Sequence, residues 1–187
     1  MKKDSQAGVV TLEACVSVLS FLLLMILLSS LFFMFMAQNV TAHTVLQTAQ
    51  SLSFDTYTIE KMKLDNGKVG SIGELLGSVA VDLFGSPSEN PYFVSNTRWH
   101  SGDKTELTDI LQKRFIGYIS GGDPSEADAF LKNLNVVGGL SGLDFSESSV
   151  EEDVLYIVLR YELEYEFTAW GMGVVEVEQK ACAKLWK

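Results

Sequence analysis

The stretch from Ala14 to Ala37, ACVSVLSFLLLMILLSSLFFMFMA, restricts this chain more than any other feature. It runs for 24 residues without a formal charge or a proline. As a helix it is roughly 36 Å long, enough to cross a hydrocarbon layer of about 30 Å with some tilt. Its serines (Ser17, Ser20, Ser29 and Ser30) can bond back to helical carbonyls, so they do not oppose a spanning helix. Lys2 and Lys3 precede the run, and the positive-inside bias holds that end in the cytoplasm. The chain from Gln38 onward is then extracytoplasmic. A cleavable secretory signal is the competing reading, with Val40-Thr41-Ala42 as a weak cleavage site. Signal cores are usually about 7–15 residues, much shorter than this run.

The rest of the composition narrows the field. With 24 acidic residues against 14 Lys and Arg, the net charge is −10. Such a surface repels phosphate backbones and argues against nucleic-acid binding. Cys15 opens the apolar run and Cys182 lies near the C-terminus, in different compartments on this reading, so no disulfide framework is expected. His43 and His100 have no Cys or His partner at metal-ligand spacing, and no cofactor is expected. No dinucleotide fingerprint or hydrolase elbow is present. The Gly70, Gly73, Gly77 spacing lacks the required G-x-G after a strand. A structural or assembly role, not an enzyme, is the expectation.

One carboxylate, Glu13, stands at the lip of the apolar run. Alone it reads as an anion near a helix start, where the macrodipole favours it. Its neighbours are Lys2, Lys3, Gly8, four residues, the glutamate and then a long apolar helix. That order resembles the N-terminal signature of type IV prepilins. Within that superfamily, the TLEA variant at residues 11–14 and AQNVTAHTVLQTAQSLSF at residues 37–54 are most similar to TadE-like pseudopilins of tight-adherence (Flp-type) pili. The resemblance covers about the first 55 residues, and the remainder only in layout. The chain departs from the pattern with Val9 as first mature residue and with no proline early in the membrane helix.

The resemblance implies cleavage of Gly8–Val9 by a prepilin peptidase. It also implies that Glu13 aligns subunits by meeting an α-amino group freed at Val9. An ion pair of that kind at about 4 Å is worth on the order of 4 kcal/mol at an effective dielectric near 20. Partners implied are the peptidase, other pilins or pseudopilins (TadF-like, Flp pilin) and the pilus assembly platform. The alternatives are a plain membrane-anchored binding domain, or a pseudopilin of a type II secretion or DNA-uptake apparatus.

The organisation read from the sequence is a leader over 1–8, a membrane helix over 9–37, a stem helix over 38–63 and an extracytoplasmic domain over 64–187. In the stem, Ala42, Val45, Ala49, Leu52, Thr56 and Ile59 recur at three- and four-residue steps, a packing seam. That seam serves either the chain's own domain or neighbouring pilins. LDNG at 64–67 is a turn. Ile72, Leu75, Leu76, Val79 and Leu83 mark one helix, capped by Ser71, and the stretch over 85–103 reads as a loop. Leu107, Ile110, Leu111 and Phe115 mark a second helix, with Asp103 near its start. Asp123 and Pro124 open a third, whose acidic residues lack the EF-hand spacing.

The period then changes to two. Leu155, Ile157, Leu159, Tyr161, Leu163, Tyr165 and Phe167 alternate with Arg160, Glu162, Glu164 and Glu166, which is a half-buried strand. TAWGMG supplies a turn, and Val175, Val177, Ala181, Ala183 and Leu185 suit a returning strand. A weaker strand falls near LSGLDFSES at 140–148. The fold class is therefore α+β: a long transmembrane and stem helix, then a small antiparallel sheet with short helices. Glu162, Glu164 and Glu166 could oppose Glu176 and Glu178 across the hairpin. The row reads either as a solvated face whose register offsets the charges, with Arg160 and Lys180 intervening, or as a surface for a cation or a basic partner.

Overall fold

The structure is a computed structural model that describes residues 3–62, 104–164 and 173–186. The expected turn at 64–67, the helix marked by Ile72 to Leu83, the loop over 85–103 and His100 lie outside the described residues. So do Tyr165, Glu166, Phe167 and all of TAWGMG except Gly173.

A single helix, α1, runs Lys3–Met62 and joins membrane run and stem without a break. Its length of 60 residues corresponds to about 90 Å. The domain adds α2 (Lys104–Ser120), α3 (Pro124–Asn133), a short 3₁₀ turn (Gly139–Gly142) and three strands. The strands are β1 (Ser149–Glu151), β2 (Val154–Glu164) and β3 (Val174–Lys184), arranged antiparallel in the order β1-β2-β3. A long apolar N-terminal helix followed by a small domain of three antiparallel strands and short helices is thus the architecture.

The alternation seen in the sequence decides which sheet face is buried. Leu155, Ile157, Leu159, Tyr161 and Leu163 of β2 all point inward, joined by Val177 of β3 and by Leu185 beyond it. α1 lies across this face. Its buried positions are Ser30, Ala37, Thr41, Thr44, Val45, Thr48, Ala49, Leu52 and Thr56. The stem seam therefore serves the chain's own sheet. Ala42, expected in the seam, is exposed, and Ala37 and Thr41 stand in its place. Threonines can occupy the buried band because their hydroxyls return to helical carbonyls, Thr41 to Ala37 at 2.7 Å and Thr44 to Val40 at 2.8 Å. An apolar pattern passes over such positions. Ile59 lies where side chains are not described.

α2 buries Leu107, Ile110, Leu111 and Phe115 as expected, and Phe115 meets Phe145 edge-to-face at 5.6 Å. α3 starts as its sequence dictates. The Asp123 carboxylate accepts from the Ser125 amide at 2.8 Å and Pro124 occupies the first turn.

Two expectations for the sheet need correction. The stretch 140–148 is not a strand; it holds the end of the 3₁₀ turn and an isolated bridge of Asp144 to Arg160, and the strand begins only at Ser149. Glycines make the turn. Gly138 and Gly139 have φ of 73° and 58°, and a Cβ on Gly142 would sit 1.9 Å from the Val137 carbonyl. Ser148 then substitutes for ladder backbone, its hydroxyl accepting from the Val158 amide at 3.0 Å. The hairpin register also differs from the expected offset. Glu162 faces Glu176 directly, and Glu164 faces Val174. Only the next outward position up is balanced, where Arg160 faces Glu178.

Candidate functional site

Gly8 and Val9 lie within the continuous helix, and Val9 and Glu13 stand one turn apart on the same face. Glu13 is exposed, and its backbone carbonyl also receives the Ser17 hydroxyl at 2.9 Å. Every residue from Val9 to Ser29 is exposed, with Leu12 at 67% and Leu24 at 54%. Burial starts abruptly at Ser30, which is 3% exposed. The helix is long and apolar enough to cross a membrane, and nothing in the chain's own described residues covers that half.

Above Ser30 the helix is fixed to the domain by a polar cluster at the sheet. Thr41 Oγ1 and the Tyr161 hydroxyl lie 2.8 Å apart. Gln179 Nε2 donates to the Gln38 carbonyl at 2.8 Å and to the Tyr161 oxygen at 3.2 Å. Burial raises the Tyr161 pKa, and the Thr41 hydrogen bond opposes that rise. Farther up, Arg114 of α2 is buried and pairs with Asp55, and it reaches the Ser51 hydroxyl at 3.3 Å. At the top, Ser53 donates to the Lys184 carbonyl at 2.5 Å. The Trp186 amide reaches Thr56 Oγ1 at 3.2 Å. The helix is thus held at three heights.

Neither the Tyr161 cluster nor the Arg114 clamp is among the residues singled out by sequence. A signal for Arg114 exists: it lies three residues after Leu111 on the apolar face of α2, so its charge needs a partner. No comparable signal marks Tyr161, since an inward tyrosine reads as core.

The outward sheet face carries charge. Arg160 bonds Glu178 through Nε at 2.7 Å and also pairs with Glu147, while Lys180 pairs with Glu178 at 2.6 Å. Lys180 and then Arg160 hold the Glu178 carboxyl below its ordinary range. Glu162, Glu164 and Glu176 form no ion pair among the described residues. No group of three or more His, Cys, Asp or Glu suited to a metal occurs among the described residues. Cys15 and Cys182 are both free and exposed.

Beside the stem lies a groove of about 650 Å³ between α1 and the ends of α2 and α3, lined by His43, Leu46, Tyr118, Ile119 and Phe130 among others. It is mostly apolar and open to solvent. No family model, curated protein sequence or solved structure matches this chain.

Proposed function

We propose that this chain is a TadE-like pseudopilin that acts in assembly of a tight-adherence pilus. On this reading it is cut by a prepilin peptidase between Gly8 and Val9. It crosses the cell membrane once, with its N-terminus in the cytoplasm and an α+β domain outside. The observation that carries the proposal is the pairing of two features. Gly8, Val9 and Glu13 have prepilin spacing, and the helix they head is exposed on all sides for 21 residues, from Val9 to Ser29. A carboxylate in such a stretch is costly in lipid unless another chain supplies a cation. An amino group freed at Val9 of a neighbouring subunit, at similar depth, is that cation. The stem seam is taken up by the domain, so contacts to other pilins fall to the membrane half and to the uncovered stem face.

The test is N-terminal sequencing of the protein made with and without its prepilin peptidase. The proposal expects a mature start at Val9 only when the peptidase is present. A start that retains Lys2 and Lys3 in both cases supports the second reading, a binding domain on a plain anchor. The groove at His43, Leu46 and Phe130 is the observation favouring that alternative.

A further inference from the structure

Two stretches of α1 compete for the hydrocarbon layer, and the domain carries the information that separates them. By sequence, the uncharged run is 14–37; by exposure, the uncovered run is 9–29. Either is long enough. The second spans 21 residues, about 31 Å, against a layer of about 30 Å.

The sheet runs alongside α1 with β3 rising as the helix rises. Gln179 meets Gln38, and five residues later Lys184 meets Ser53. Moving back along β3 from Gln179 therefore moves below the Gln38 contact, past Glu176 to Val174 and its β2 partner Glu164. The helix is already buried there: Ala37 is fully covered, Met34 packs on the core and Ser30 is 3% exposed. Glu162, Glu164 and Glu176 consequently lie at or below the level of Gln38, on the sheet face turned away from the helix and with no ion pair among the described residues.

If residues 14–37 filled the hydrocarbon, all three carboxylates would enter lipid. If residues 9–29 fill it, only Glu13 enters, by about four residues or 6 Å. Charges in hydrocarbon are costly, so the second placement is favoured. Phe32, Phe33 and Phe35, exposed at 65%, 40% and 59%, then stand just above the hydrocarbon edge, close enough for their apolar rings to reach down to it.

We propose that the domain is seated on the membrane surface. Val9–Ser29 forms the hydrocarbon span, and Phe32, Phe33, Phe35 and the acidic sheet end contact the ammonium groups of zwitterionic phospholipids. This rests on α1 crossing a membrane and not on the pilin reading. It also deepens the role of Glu13, which becomes an intramembrane carboxylate.

The experiment places single spin labels on the full chain in phosphatidylethanolamine nanodiscs, in a Cys15→Ser, Cys182→Ser background. Labels at Leu23→Cys, Ser29→Cys and Phe35→Cys are read by accessibility to oxygen and to a water-soluble nickel chelate. Nickel accessibility at position 35 is expected to be at least tenfold that at position 23, with the boundary just above position 29. Equal exclusion at positions 23 and 35 overturns the seating while leaving the span intact. Nickel access at position 23 removes the span itself, and the seating with it. In a Glu162→Leu, Glu164→Leu, Glu176→Leu variant, the position 35 label is expected to move into the lipid-protected class. An unmoved label would show that the carboxylates do not set the depth, and overturns the argument from them.

Discussion

The two halves of α1 are one continuous helix, yet they follow opposite rules. From Val9 to Ser29 the side chains are mostly apolar and all exposed. From Ser30 to Thr56 the helix carries threonines, serines and glutamines, and one face of it is buried. The more hydrophobic half has no partner among the described residues, while the more polar half is the domain's central packing element. Hydropathy therefore does not rank burial along this helix: the half apolar enough to cross a membrane is the uncovered one. In water an uncovered surface of this kind would be an interaction site or a liability. In a bilayer it is solvated, and its single carboxylate becomes the anomaly that needs another molecule.

Substitutions of one residue type in each half break the comparison most sharply. Leu52→Ala removes a fully buried side chain and is expected to destabilise the domain by about 2–5 kcal/mol. Leu24→Ala is expected to leave domain stability within about 0.5 kcal/mol. Denaturant unfolding of micelle-bound protein, followed by circular dichroism, reads both. Similar losses from the two would show that the lipid half is also part of the folded core.

Tyr161→Phe tests the clamp between the halves. It takes the phenolic oxygen from Thr41 and Gln179 and is expected to cost about 1.5 kcal/mol, since Thr41 keeps its bond to Ala37. No loss in the same assay would mean that apolar packing alone docks the helix. Asp123→Ala acts far from the boundary. Loss of its cap on α3 is expected to cost about 1 kcal/mol without altering membrane insertion.

The smallest effect is a pH dependence on the outward sheet face. The folded-state pKa of Glu178 is depressed by Lys180 and Arg160, so its contribution is present above the ordinary value of 4.5 and lost as pH falls through the lower folded value. Being exposed, it is also weakened by salt. The acid-induced loss of stability below pH 4.5 should shrink slightly in Glu178→Gln. An unchanged acid limb would assign that loss to other carboxylates, among them Asp128 and Asp144. Asp128 is held low chiefly by Lys132 and the Leu140 amide, and Asp144 by Ser146.

Periodicity made much of this fold legible. The alternation through Leu155 to Leu163 assigned the inward face of β2, and Asp123-Pro124 marked the start of α3. The seam was legible only in part, because Thr41 and Thr44 satisfy burial through hydroxyls while counting as polar, and Thr48 is buried with its hydroxyl unpartnered among the described residues. The register of β2 on β3 was not legible. Side-chain charge argues against Glu162 facing Glu176, but inward packing and the Arg160–Glu178 pair hold the alignment that brings them together. Of the candidate site, Gly8, Val9 and Glu13 were visible from spacing. The Tyr161 cluster and the height of the acidic sheet end depend on tertiary contacts, which no local pattern encodes.

The central claim is that Glu13 makes the exposed half pack beside other helices. Cysteine cross-linking in the native membrane tests it most directly. A Val16→Cys variant, with Cys15 and Cys182 replaced by Ser, places one thiol on the Glu13 face, one turn above it. The account predicts an oxidation-dependent cross-link to a second membrane helix carrying a matched cysteine, lost when Glu13 is also changed to Ala. A cross-link of equal yield in the Glu13→Ala background, or none in either, would contradict it.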